Sequence, residues 1–320
     1  MSRTPASTRA EQRARVKRLE LRTRRMVSDV LSGAYRSSFR GSGIEFDEVR
    51  PYQPGDEVRS IDWNVTARTG TPHIKTYIEE RQLLVELLVD TSASMRFGSR
   101  VTKLDVAEQF AALIACAAEL QRDPVGLNLF ADGPGVHLPA KPGAVQTQRI
   151  LVALESARRE AARVGSPLHF VAALEELRRV LRKGGLVFVV SDFREVTGEE
   201  ATQALRLLGQ RHDVVCVRIV DPLEEDLPRE LGLATVLDPE SGQRVELDAR
   251  SGAVRRWWSE RAASRREAYE AILRSARVEG IELRSPSWDR ERSQAVHDLV
   301  DIEPVIRFFK RRARRQGARA

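Results

Sequence analysis

The 320-residue sequence predicts an α/β fold with a mostly parallel sheet and helices on both of its faces. Three near-continuous apolar runs, at residues 83–89, 125–130 and 186–190, have the composition of strands that are covered on both sides. Apolar residues recur with helical spacing between these runs, at residues 104–120 and 171–181. Buried strands that alternate with helices of this length are typical of a parallel sheet.

Four segments follow from changes of pattern along the chain. Residues 1–40 form a basic helical segment, and residues 41–80 form a loop and β block that contains the turn Pro54-Gly55. Residues 81–222 hold the alternating strands and helices of a Rossmann-like core. Residues 223–320 form a C-terminal helical extension, in which a hairpin, a long helix, a final strand and a basic helix complete the fold.

The composition is that of a globular protein with a full core, since 42% of the residues are hydrophobic and 31% are charged. No apolar stretch approaches the roughly 20 residues of a membrane-spanning helix. The polar, basic N-terminus does not resemble a secretory signal, and we therefore expect a cytoplasmic protein. Cys116 and Cys216 each lie in an apolar run without a second cysteine at metal spacing, which predicts two core residues and no structural zinc.

The positive charge is concentrated at the two ends of the chain. Residues 1–40 contain eleven Lys or Arg against three Asp or Glu, and residues 307–320 contain seven basic residues and no acidic one. The total of +7 therefore leaves residues 41–306 with a net negative charge. Basic ends attract nucleic acid, anionic lipid or an acidic partner surface. The alternative is that they are solvated tails or helix faces that aid solubility, and no interleaved aromatic residues indicate base stacking.

Oxygen-bearing side chains follow two of the predicted strands. Asp90, Ser92 and Ser94 come directly after the run at 83–89, and Asp192 follows the run at 186–190. The carboxyl ends of parallel strands form the binding edge of such a sheet. Carboxylate and hydroxyl oxygens are hard ligands that suit Mg²⁺ or Mn²⁺. The pattern predicts a divalent-cation site, and the alternative is a surface turn that has these residues by chance.

The loop at residues 90–95 resembles the metal-ion-dependent adhesion motif, or MIDAS, of von Willebrand A domains. The upstream stretches at residues 43–46, 49–63 and 67–68 resemble a bacterial branch of these proteins, the domain-of-unknown-function 58 (DUF58) family. Shorter matches at residues 191–193, 221–224 and 238–242 extend the resemblance from about residue 41 to residue 242. It implies a von Willebrand A-like domain at residues 81–222, on which a family-specific block at residues 41–80 is packed.

The resemblance also implies the ligands of the cation. Ser92 and Ser94 would bind Mg²⁺ or Mn²⁺ directly, and Asp90 and Asp192 would act largely through water. The family pattern has a threonine just before the helix at 171–181, but Leu168 holds its place in this chain. Ser166, two residues earlier, is the candidate for the missing ligand, although Pro167 restricts its backbone. The loss of one oxygen ligand would weaken the site or leave a water in its place.

A MoxR-type AAA+ ATPase is the partner that the resemblance implies, in a pair that matures or activates other, client proteins. The family-specific block contains charged residues and one tryptophan of the kinds that are common at interfaces. These residues either form a recognition surface or hold the block in place through internal ion pairs. They are Arg50, Asp56, Arg59, Asp62 and Trp63.

We expect a binding protein and no catalyst. The sequence contains neither the Gly-x-x-x-x-Gly-Lys-Ser/Thr phosphate loop nor a Gly-x-Ser-x-Gly nucleophile element, and its five histidines are dispersed. Two alternatives stay open. The basic ends could bind nucleic acid or an anionic membrane, or Asp90 and Asp192 could activate water in a magnesium-dependent phosphohydrolase.

Overall fold

A computed structural model describes most of the chain, and the predicted α/β class is confirmed. The described residues are 5–27, 33–35, 45–78, 82–131, 135–160, 169–182, 184–194, 196, 198–237, 242–286 and 301–317. The central sheet has the strand order β10-β7-β6-β3-β4-β5, in which only the edge strand β5 is antiparallel to its neighbour. Its strands are β3 (Val85–Asp90), β4 (Val125–Phe130), β5 (His137–Lys141), β6 (Leu186–Ser191), β7 (Asp213–Val220) and β10 (Glu279–Arg284).

Two small antiparallel sheets lie outside the central one. The first pairs β1 (Glu45–Pro51) with β2 (His73–Ile78), within the segment that was predicted as a loop and β block. The second pairs β8 (Leu233–Leu237) with β9 (Arg244–Asp248), which confirms the predicted hairpin.

Helices cover both faces of the central sheet. The helices in chain order are α1 (Pro5–Met26), α2 (Trp63–Thr69), α3 (Lys103–Leu120), α4 (Ala144–Arg159), α5 (Phe170–Val180), α6 (Glu199–Gly209), α7 (Pro222–Glu225), α8 (Gly252–Ala276) and α9 (Glu303–Gly317). One core cluster unites the sheet with α3, α4 and α9, and a second unites its other face with α5, α6 and α8. Helix α1 lies on α3 and α4 as an outer layer.

Strand β3 and helix α3 show why the apolar pattern of the sequence predicted the core elements. All six residues of β3 are buried, as its nearly uninterrupted apolar sequence predicts. Helix α3 begins at a capping box, in which Thr102 and Asp105 satisfy each other's backbone N–H groups. The edge-to-face rings of Phe110, Phe188 and Phe309 then join α3, the sheet and α9, with centroids 5.5 and 6.5 Å apart.

Both basic ends contain folded structure. Arg15 of α1 donates to Asp105 at 2.8 Å and to Glu108 at 3.1 Å on α3. Arg312 of α9 forms ion pairs with Asp213 and Glu279. Within the described part of the chain, no helix is long and apolar enough to cross a membrane. The two cysteines are buried, as predicted.

Glu86 is a buried carboxyl near the start of β3. Its Oε1 accepts a hydrogen bond from Asn128 Nδ2 at 2.5 Å, and the Asn128 Oδ1 lies 2.6 Å from His137 Nδ1. Burial raises the pKa of Glu86 to about 8, although the Asn128 bond acts in the opposite direction. Gly126 leaves the space for this carboxyl, because a Cβ there would lie 2.3 Å from Glu86 Oε2.

The raised pKa of Glu86 predicts a pH-dependent stability. The folded protein favours the protonated form, so the contribution of Glu86 is present at acidic pH and is lost as the pH rises through about 8. Relative to Glu86→Gln, the wild-type free energy of unfolding should fall by about 1.4 kcal/mol per pH unit. This decrease should extend from the ordinary pKa of a glutamate in the unfolded chain to the raised pKa of Glu86 in the folded protein. Urea unfolding from pH 5 to 9 measures this difference. Parallel pH profiles for wild type and Glu86→Gln would contradict it, and Glu246→Gln on exposed β9 is the control.

Candidate functional site

The predicted acids meet at the carboxyl edge of the sheet because β3 and β6 are parallel neighbours. Asp90 ends β3 and is fully buried, and its two carboxylate oxygens hold the surrounding loops. The Oδ1 accepts the backbone N–H of Ser92 at 2.9 Å, and the Oδ2 accepts the Ser191 hydroxyl at 2.6 Å. The Ser191 Oγ in turn accepts the backbone N–H of Phe193 at 3.0 Å. Asp90 therefore fixes both the serine loop and the end of β6.

The two serines of the loop complete an oxygen cluster. Ser92 Oγ lies 3.2 Å from Ser94 Oγ, and hydrogen bonds link Ser92 to Asp90 and Ser94 to Asp192. Ser94 opens a short 3₁₀ turn, which the fully buried Met95 anchors in the core. Ser94 is buried and Ser92 is half-buried, so the cluster reaches the surface at Ser92. The four residues predicted from the sequence are thus brought together.

Lys103 is a residue of the site that the sequence did not predict. It is the first residue of α3 and is fully buried. Its ammonium group donates to Asp192 Oδ2 at 2.6 Å and to Glu224 Oε1 at 2.7 Å. Arg194 lies 3.6 Å from the same Glu224 oxygen. A positive charge is therefore built into the site on the side of Asp192.

A network around Asp221 positions Glu224. Asp221 caps the short helix α7 in a capping box with Glu224. Its Oδ2 also accepts the backbone N–H and the hydroxyl of Ser99, at 2.9 and 3.1 Å, and the hydroxyl of Ser285 at 2.6 Å. Residues 221–224, which resemble the DUF58 family, therefore join the segment after the serine loop to the ends of β7 and β10.

The electrostatics of the two acids differ. Burial, followed by the negative charge of Asp192, raises the pKa of Asp90 to about 6. Burial would also raise the pKa of Asp192, but the Lys103 ammonium and several hydrogen bonds outweigh it and hold that pKa below its ordinary value. For Lys103, the charges of Asp192 and Glu224 outweigh burial and raise the pKa. The site thus contains a Lys103–Asp192 ion pair beside Asp90, a carboxyl whose pKa is raised.

The oxygen cluster fits a small divalent cation. Two adjacent ligands of an octahedral Mg²⁺ lie about 3 Å apart, close to the 3.2 Å between the two serine hydroxyls. The described residues contain no group of three or more His, Cys, Asp or Glu side chains that could hold a metal. A cation here would therefore depend on the hydroxyls of Ser92 and Ser94 beside Asp90 and Asp192. Ser166 and Leu168, the positions of the expected third ligand, lie outside the described residues.

The five candidate residues of the family-specific block have different environments. Arg50 forms a two-pronged ion pair with Asp56, at 2.8 and 2.6 Å, and Asp62 caps α2 by accepting the N–H of Asn64 at 2.9 Å. These three residues agree with the interpretation that internal bonds hold the block together. Arg59 is exposed and Trp63 is 68% exposed, as the recognition interpretation requires.

The topology and the site together define a class of protein. Five parallel strands with one antiparallel edge strand, helices on both faces and an Asp-x-Ser-x-Ser loop at the carboxyl edge are the features of a von Willebrand A-like domain. The chain belongs to the DUF58 family, because the family model described as "Protein of unknown function DUF58" matches residues 48–268.

One sequence relative covers almost the whole chain, and another covers part of it. An uncharacterized protein of Mycobacterium tuberculosis is 33% identical over 309 residues, which are 96% of this chain and 91% of the relative. An uncharacterized protein of Mycobacterium avium is 28% identical over 185 residues, which are 57% of this chain and 96% of the relative.

Three solved structures illustrate the structural similarity. The conserved hypothetical protein BatB from Bacteroides thetaiotaomicron has a TM-score of 0.44 at 16% identity and covers 72% of this chain and 99% of its own. An aerotolerance-related membrane protein from Bacteroides fragilis has a TM-score of 0.38 at 18% identity, with coverages of 61% and 98%. A von Willebrand factor type A protein from Catenulispora acidiphila has a TM-score of 0.32 at 15% identity, with coverages of 49% and 36%.

Proposed function

We propose that this chain is a non-enzymatic protein-binding subunit whose binding edge is completed by Mg²⁺ or Mn²⁺. The observation that carries the proposal is the hydrogen-bonded cluster of Asp90, Ser92, Ser94 and Asp192 at the carboxyl edge of the sheet. Ligands of open sheets of this kind bind at that edge. The cytoplasmic location expected from the sequence is part of the proposal.

The chain's own residues give the edge its shape. Asp90 holds the serine loop through the Ser92 N–H, and Lys103 holds Asp192 beside the loop. Ser92 and Ser94 would hold the cation directly, with the two acids around it. When bound, the cation would supply a positive charge that accepts an acidic side chain of the partner. Ser92, which is half-buried, lies where such a side chain would approach.

A MoxR-type AAA+ ATPase is the partner we propose, acting with this chain on client proteins in their maturation or activation. Membership of the DUF58 family supports this choice through the resemblance described above. Trp63, with Arg59 close to it in the sequence, is the proposed second contact, because an exposed tryptophan is a common interface anchor.

Binding to a purified MoxR-type AAA+ ATPase from the same organism tests the proposal. We expect binding in Mg²⁺ that weakens at least about tenfold, or 1.4 kcal/mol, in EDTA. Trp63→Ala should also weaken it, whereas Trp257→Ala, which removes another exposed tryptophan on α8, should not.

Equal affinity in Mg²⁺ and EDTA, or no binding at all, would count against this function. Turnover of a generic phosphoester with Mg²⁺ or Mn²⁺ that disappears in Asp90→Asn would favour the phosphohydrolase alternative instead.

A further inference from the structure

The basic N- and C-terminal helices lie on the same side of the sheet. Helix α1 packs on α3 and α4, which cover the face of the sheet that also receives α9. Tyr35, shortly after α1, meets the ring of Phe309 edge-on at 5.7 Å. Because α1 and α9 both bury their other side in this layer, their exposed sides point away from the same face of the sheet. The sequence alone does not show this arrangement.

The exposed side of α1 is basic. Arg13, Lys17, Arg18 and Arg25 are exposed at helical spacing, and they surround Leu21, which is 52% exposed. Glu20 is the one acidic residue between positions 13 and 26, and it pairs with Arg24 at 3.1 Å. The exposed side of α1 therefore combines four cations with an aliphatic side chain.

Helix α9 presents a second basic stripe. Four exposed residues, Arg307, Lys310, Arg311 and Arg314, follow the i, i+3, i+4, i+7 spacing of one helix face. The opposite side of the helix is buried in the core through Val305, Ile306, Phe308 and Phe309. Because the core fixes α9 in this orientation, the stripe is a permanent feature of the surface.

Positive charge is concentrated in the terminal segments that contain α1 and α9. Residues 1–40 and 307–320 together have an excess of fifteen basic residues, whereas residues 41–306 have an excess of eight acidic ones. Such a separation of charge attracts and orients the protein at an anionic surface. The face with α1 and α9 would lie against that surface.

We propose that this face, formed by α1, α4 and α9, is a docking surface for a membrane rich in anionic phospholipid. Exposed aliphatic side chains accompany the cations, since Val145 is 74% and Val152 is 46% exposed on α4. A mixture of cations and exposed aliphatic groups suits the headgroup region of a bilayer. Nucleic acid fits less well, because no aromatic side chain is exposed on the described parts of these three helices to stack on bases. The inference is independent of the cation site.

Sedimentation of the full chain with lipid vesicles tests the docking surface. At low salt we expect binding to vesicles of equal phosphatidylcholine and phosphatidylglycerol, no binding to phosphatidylcholine alone, and release by added salt. The triple variants R13Q/K17Q/R18Q and R307Q/K310Q/R311Q should each bind roughly a hundredfold more weakly, because each basic residue contributes about a factor of five near such a surface. The control R178Q/R179Q/R182Q removes the same charge on and beside α5, on the other face of the sheet, and should bind like wild type.

Three results would overturn the proposal. The first is no binding to the anionic vesicles at low salt. The second is an equal loss in the α5 control, which would indicate attraction by total charge without a defined surface. The third is that a DNA duplex or a single-stranded RNA displaces the protein from the vesicles and binds more tightly than they do. Thermal unfolding of each variant confirms that the exposed substitutions leave the fold intact.

Discussion

Replacing Lys103 with methionine should lower the free energy of unfolding by about 3–5 kcal/mol, the usual cost of breaking a buried ion pair by removing one partner. The ammonium group is fully buried between Asp192 and Glu224, at 2.6 and 2.7 Å. Methionine fills most of the volume but leaves the buried Asp192 carboxylate without Lys103 as its counter-charge, and leaves Glu224 with only the more distant Arg194. Urea unfolding of wild type and Lys103→Met measures the difference.

A second substitution distinguishes the effect of losing the Lys103 charge from the effect of changing its packing. In the Lys103→Met background, Glu224→Gln should recover part of the lost stability, because a neutral amide needs no counter-charge. Lys141→Met, at an exposed position of β5, is the control for loss of a lysine. A loss below about 1 kcal/mol for Lys103→Met, the range of an exposed ion pair, would show that Lys103 is not the internal cation of the site.

The double substitution of Ser92 and Ser94 by alanine should lower the affinity for Mn²⁺ at least about tenfold while the protein stays folded. The two hydroxyls are proposed as the direct ligands, and their 3.2 Å separation fits adjacent positions on one cation. Asp90 keeps its bonds to the loop backbone and to Ser191 in this variant, so the loop itself should persist. Calorimetric titration with Mn²⁺ gives the affinities.

Ser259→Ala with Ser264→Ala is the matched control for this substitution, because it removes two exposed hydroxyls from α8. Mn²⁺ affinity should be unchanged in the control. An undiminished affinity in the Ser92 and Ser94 variant would assign any bound cation to other groups.

Much of the fold could be predicted because the central strands are covered on both sides. β4 begins and ends where its apolar run predicts, and β3 and β6 differ from the predicted runs by no more than two residues at either end. Helix ends were harder to predict from apolar spacing than strand ends, because capping residues set them. The sequence pattern placed the start of α3 at Leu104, whereas the capping box at Thr102 starts it at Lys103.

The sequence did not reveal Lys103 because its burial depends on contacts with distant segments. A lysine at the start of a helix ordinarily points into solvent, and only the approach of Asp192 and Glu224 from two other elements buries it. Asp90 and Asp192 were predictable because both follow buried parallel strands, whose ends must meet at one edge. Glu224 belongs to a separate short helix, and no periodicity connects that helix with the serine loop.

The contacts of the basic ends could not be predicted from the sequence either. Their charge was evident from composition, but the burial of Arg15 among acids of α3 and the core packing of Phe309 depend on contacts between distant segments. The sequence therefore left open whether the ends are tails or helix faces. The described parts of both ends are helices with one buried and one exposed side.

Titration of the wild-type protein with Mn²⁺, followed by the electron paramagnetic resonance signal of the free ion, tests the central claim most directly. The claim is that Asp90, Ser92, Ser94 and Asp192 form a divalent-cation site at the carboxyl edge of the sheet. The account predicts one bound Mn²⁺ per chain, displaced by Mg²⁺ and lost in the Ser92 and Ser94 double variant. Equal Mn²⁺ binding by wild type and this variant, or no binding by either, would contradict it.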